Sequence, residues 1–253
     1  MPPQPPASVD DLGLQGCLNL WALLTGQERR LAIAPTVRMT LIVMNLLREQ
    51  GVIEVPWPNA IWAAKPEAEQ TPLEGLQWSL IWSIYEPPLL LAALEAYLIS
   101  VGRDELGLAI RLRLWIEIGS AEAEHFFEMQ LEKHGFPLEW AQDIIFVYQD
   151  HQGQLSLAQW RYCAWAAVRR GASLAMQQGL VGADRVREAI YHELRQRASI
   201  VASGAWSRCS LPPFQPTPQS ALARGYTRWL TKLGMVYWTA IPSLEALLES
   251  PPP

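Results

Sequence analysis

Apolar residues recur every three or four positions along most of this chain, and that spacing predicts a series of amphipathic helices. Ser8 is placed to cap a first helix reaching about Leu24, with Leu12, Leu18, Trp21 and Leu24 turned inward. A short helix is expected near Glu28–Ala34, and a longer one over Thr36–Gln50 stops at Gly51. Val52-Ile-Glu-Val55 alternates as a short strand does, and Pro56 closes it. Thr71-Pro72-Leu73-Glu74 has the form of a capping box, so a helix is expected from Pro72 to about Tyr85. Pro87 and Pro88 begin another, to about Val101, and Asp104 caps a long one running to Lys133. Helices over Leu138–Tyr148, Leu157–Gln178 (capped by Ser156), Ala183–Val201, Ala221–Leu233 and Ser243–Leu248 complete the pattern, with a short extended piece at Met235–Ala240.

The fold class is therefore all-α, a multi-helix bundle with at most a small N-terminal β-wing. No strand–helix alternation marks a parallel sheet. Two parts are expected: a helical subdomain over residues 1–66, and a larger helical domain over 67–253 with a proline-rich connection at 203–220.

Composition narrows the class. Half the residues are apolar and only 18% are charged, which excludes a disordered polyelectrolyte. The most apolar stretch, Leu76 to Ile99, is broken by Glu86, Pro87, Pro88 and Glu95, so it predicts buried helices and no membrane span. Cys17, Cys163 and Cys209 are too widely spaced for a CxxC pair and odd in number, which points to a reducing cytoplasm. The start Met1-Pro-Pro-Gln-Pro-Pro does not read as a signal peptide. Seventeen arginines against three lysines point to a bacterial source. Twelve tryptophans are several times ordinary usage; Trp78, Trp82, Trp160 and Trp165 lie on apolar helix faces, whereas Trp57, Trp62 and Trp206 lie in irregular segments that suit partner anchors.

Charge divides the chain. From Asp104 to Asp150 ten acidic residues stand against three basic ones, net −7; from Arg161 to Lys232 eleven basic residues stand against three acidic ones, net +8. The basic half interleaves arginine with aromatic rings, a pattern suited to a protein partner, a second copy of the chain, or nucleic acid. Alternatively, it docks against the acidic helix and leaves no free potential. Arg195, Arg197, Trp206, Arg208, Arg224 and Arg228 are its candidate binding residues.

The helix over Thr36–Gln50 and the following Gly51-Val-Ile-Glu-Val55 resemble a winged helix-turn-helix, over about residues 8–60. That resemblance implies a recognition helix in the DNA major groove, with Arg38 and Asn45, together with Thr36 and Arg48, turned toward DNA. The segment is almost charge-neutral, and Glu49 would face phosphate.

Glu122-Ala-Glu-His125 has the Glu-x-x-His spacing of ferritin-like di-metal bundles, and Glu128 lies one turn on. Glu122, His125 and Glu128 form the candidate set for a divalent metal, the basis of an alternative reading as a metal-dependent helical enzyme. No second Glu-x-x-His accompanies it. Phosphate-loop, dinucleotide, zinc-protease and serine-elbow motifs are missing, and Cys163 sits among apolar neighbours. The leading expectation is a non-enzymatic binding, regulatory or adaptor protein that needs no cofactor.

Overall fold

The computed structural model describes residues 5–54, 78–82, 86–101, 104–177, 182–206, 208–215 and 217–249. They form a helical protein with one two-stranded sheet. The helices are α1 (Val9–Arg29), α2 (Val37–Glu49), α3 (Pro87–Ser100), α4 (Glu105–Lys133), α5 (Ile144–Asp150), α6 (Leu157–Gln177), α7 (Ala183–Ala202), α8 (Ala221–Gly225), α9 (Val236–Thr239) and α10 (Leu244–Glu249). Strands β1 (Ile53–Glu54) and β2 (Ser79–Leu80) pair antiparallel, Ile53 opposite Leu80. None of the helices, among the described residues, is long and apolar enough to cross a membrane.

Three of the caps read from sequence are present: Ser8 accepts from the Asp11 amide, Asp104 from Gly107 and Ser156 from Gln159, each closing an otherwise orphaned N–H. Thr36, not read as a cap, does the same for the Met39 amide. Other elements differ from expectation, each for a local reason. α1 does not stop at Leu24; it continues to Arg29 and ends where Arg30, at φ 53°, bonds back to Gly26. No separate helix covers Glu28–Ala34, because the backbone of Ala32 and Ile33 accepts from Ala221 and Leu222 instead. The helix expected over Pro72–Tyr85 is not present at 78–82, where Ser79–Leu80 is strand and Ile81 and Trp82 both donate to Val52; its residues 71–77 and 83–85 lie outside the described residues. Met235–Ala240 forms a helical turn, and Ala221–Leu233 widens after Gly225 into a π-helical turn, Tyr226–Leu230. The boundary expected at residue 66, and Trp57 and Trp62, lie outside the described residues.

Contacts divide the chain into two compact units that interleave in sequence. The first holds residues 1–114, 217–232 and 250–253, and the second 115–216 and 233–249.

In the first unit α1 is the central helix, packed by α2, α3 and α8. Leu18, Leu20, Leu23, Leu47, Leu90, Leu94 and Leu98 are wholly buried there. A Cβ on Gly225 would sit 2.7 Å from the Trp21 ring, so only glycine lets α8 approach α1 this closely. Trp21 also meets Trp229 edge-on at 6.4 Å and donates to Glu95 at 3.0 Å. Arg111, at 2% exposure, donates to the carbonyls of Leu230 and Val101, while its own carbonyl accepts from Tyr226.

The second unit is organised around the antiparallel α6–α7 hairpin. α7 buries Val186, Ile190, Leu194, Ala198 and Val201, a stripe repeating every three or four residues, against an alanine-rich face of α6. Gly171 is the point of closest approach: a Cβ there would lie 2.4 Å from Ile190. Trp115 stacks on Tyr237 and donates to its carbonyl, and Tyr148 meets Trp160 edge-on at 4.4 Å.

Candidate functional site

With the inner faces of α6 and α7 occupied by packing, the charged residues of the hairpin are left on its outside. Arg169, Arg170, Arg185, Arg195 and Arg208 are exposed and form no ion pair among the described residues; Arg169 only rests its guanidinium over Trp165 at 4.8 Å. These five arginines are thus not ion-paired with the acidic helix among the described residues. One of its arginines does approach that helix: Arg161 lies near Glu122, covers the Phe126 ring at 4.1 Å and donates to the Leu211 carbonyl.

The predicted binding residues fall into different roles. Arg195 is exposed on the outer face of α7, and Arg208 is exposed in the following connection. Arg197 is committed to the fold: it pairs with Glu193 at 2.6 Å, donates to the Tyr162 hydroxyl at 2.9 Å, and sits 5.4 Å over the Trp206 ring. Arg197 and Trp206 therefore act as a stacked brace between α7 and the segment that follows it. Arg224 and Arg228 belong to the other unit. Arg224 fastens a turn by donating to the Pro218 carbonyl, and Arg228 is exposed over Trp229 at 4.6 Å.

On α2, Arg38 and Asn45 are half-buried, and the Arg38 Nε and Asn45 Oδ1 atoms are themselves shielded from solvent. Asn45 Oδ1 has no hydrogen-bond partner. Thr36 is buried and spends its hydroxyl on the helix cap.

On α4, His125 Nδ1 lies 3.6 Å from Glu128 Oε2, and hydrogen bonding to that carboxylate raises the histidine pKa. Glu122 points into the protein, where its Oε1 has no hydrogen-bond partner. Burial pushes its carboxyl from the ordinary 4.5 up to about 7, against the opposing pull of His125 and Arg161. Among the described residues no three His, Cys, Asp or Glu side chains come together as a group able to hold a metal ion, so Glu122, His125 and Glu128 are not assembled into a ligand set. Cys163 is fully buried and its thiol is pushed up to about 12, which removes it as a nucleophile at neutral pH.

α7 also lines a groove of about 860 Å³, to which Arg187, Tyr191, His192, Arg195 and Ser199 contribute. Of these, sequence reasoning had singled out only Arg195. The spacing 184, 187/188, 191/192, 195/196, 199 was the signal, a polar stripe at helical period opposite the apolar one. No protein-family model, no curated protein and no solved structure matches the chain, so the site is read from its own chemistry.

Proposed function

We propose that this chain is a non-enzymatic binding protein of regulatory or adaptor kind, acting in the cytoplasm of a bacterial cell, and that the α6–α7 hairpin engages a protein partner. The observation that carries this reading is the row of exposed arginines without ion pairs, Arg169, Arg170, Arg185 and Arg195, on a hairpin whose inner face is fully packed. Arginine beside an aromatic ring, as at Arg169 and Trp165, is a preferred chemistry of protein interfaces. A protein fits better than a nucleic acid because Asp184 and Glu188 are exposed on the same hairpin and would repel a phosphate backbone. The half-burial of Arg38 and Asn45 points the same way. Three free cysteines, two of them buried, suit a reducing compartment.

The test compares the wild-type chain with R169E/R170E as immobilised bait in lysate of the source cells. A discrete protein retained by the wild type and lost by the double reversal is the expected result. A salt-sensitive mobility shift with short DNA or RNA, abolished by the same reversal, would replace the protein partner with a nucleic acid.

A further inference from the structure

The outer stripe of α7 carries its charges in a particular order. Asp184 and Glu188, with Arg187 between them, lie toward the N-terminal end, and His192 and Arg195 toward the C-terminal end. The stripe runs about 22 Å from Asp184 to Ser199 at 1.5 Å per residue. Its midpoint falls between Tyr191 and His192, with Glu188 and Arg195 equally far on either side. Glu188 and Arg195 are exposed, and neither has an ion pair among the described residues. Seven residues apart on one helix, about 10 Å, they do not reach each other.

A two-fold contact brings each residue opposite its mirror position about the midpoint, so the patch has to complement itself. This one does. We propose that the α7 groove receives α7 of a second copy of this chain, antiparallel, so that Glu188 meets Arg195 of the second copy and Tyr191 meets His192 of the second copy. The same register sets Asp184 beside Ser199 and Arg187 beside Gln196, and opposes no two like charges. Repetition by symmetry forms the Glu188–Arg195 pair twice, on both sides of half-buried Tyr191, whose hydroxyl donates to the Trp140 carbonyl and whose ring meets Phe127. A partner of one charge sign would meet like charges on the stripe, either Asp184 and Glu188 or Arg187 and Arg195. The inference rests on the hairpin being a binding element, but it uses the α7 stripe and not Arg169 or Arg170.

Sedimentation equilibrium of the full chain over a micromolar concentration series tests it, with E188R, R195E and E188R/R195E beside the wild type. The wild type is expected to dimerise, more weakly as salt is added. Each single reversal opposes like charges twice and is expected to lower association by about tenfold or more. The double reversal recreates the complementarity in mirror order and is expected to return association to within a few-fold of wild type. A wild type that stays monomeric, single reversals without effect, or a double reversal that fails to restore the dimer would each overturn the proposal. Both side chains are exposed, and unchanged thermal melting of the variants separates loss of association from loss of folding. Retention of a partner lost on R169E/R170E would leave the broader reading standing if only the dimer fails.

Discussion

Arg111 in the first unit and Glu122 in the second are both buried charged side chains on α4, yet their surroundings differ. Arg111 is aimed at main-chain carbonyls, donating to Leu230 O at 3.3 Å and Val101 O at 2.8 Å, so its burial is matched by hydrogen bonds. Glu122 Oε1 has no donor. The guanidinium links α4 to the end of the π-helical turn at Leu230 and to the end of α3 at Val101 as a fixed strut, and burial holds the carboxyl close to its point of protonation. Burial alone thus says little; what a buried charge does depends on whether the fold supplies its partners.

Removing the strut should give the largest effect. Arg111→Met leaves the carbonyls of Leu230 and Val101 without this donor and should destabilise by roughly 3 kcal/mol in urea denaturation. A loss below about 1 kcal/mol would show that packing, and not the hydrogen bonds, holds Arg111 in place.

The pH profile addresses the other half of the comparison. The folded-state pKa of Glu122 is raised from 4.5 to about 7, so the folded chain binds the extra proton. Its stabilising share is complete below pH 4.5 and is lost as pH rises through 7, a decline of roughly 3 kcal/mol. His125, also raised, works in the same direction, losing its share as pH rises through its own folded value. Stability should therefore fall between pH 5 and 8, and Glu122→Gln should flatten most of that slope while matching the wild type at pH 5. An equally steep slope in the glutamine variant would assign it elsewhere.

Two further arginines extend the comparison outward. Arg197→Ala removes the Glu193 pair and the support of Trp206, and about 1 kcal/mol is expected, with a change in tryptophan fluorescence. Arg195→Ala, fully on the surface, should shift stability by no more than about 0.5 kcal/mol. A larger effect would give Arg195 a part in the fold and weaken its place in a binding face.

The helices were legible because their signals are local. Caps at Ser8, Asp104 and Ser156 need only a side chain and an amide three residues on, and the α7 stripe Val186, Ile190, Leu194 needs only a period. The errors fell where a distant segment intervened. The Thr71 capping box and the i,i+4 tryptophans argued for a helix through Trp82, but Val52 offers its carbonyl to Ile81 and Trp82 there. The candidate site was half visible. Counting charges identified the basic half of the chain, but not that Arg197 and Arg224 would be spent on Glu193 and Pro218 while Arg195 stayed exposed.

Helical class, caps, the apolar and polar stripes and the reversal of charge after Asp150 are properties of neighbours in sequence, and the chain determines them alone. Which arginines are free, whether Glu122 keeps its proton and whether Glu122, His125 and Glu128 converge depend on what stands within a few ångströms in space. A hydrogen bond or ion pair ends at that distance, and only tertiary packing brings residues as remote as Arg111 and Leu230 inside it.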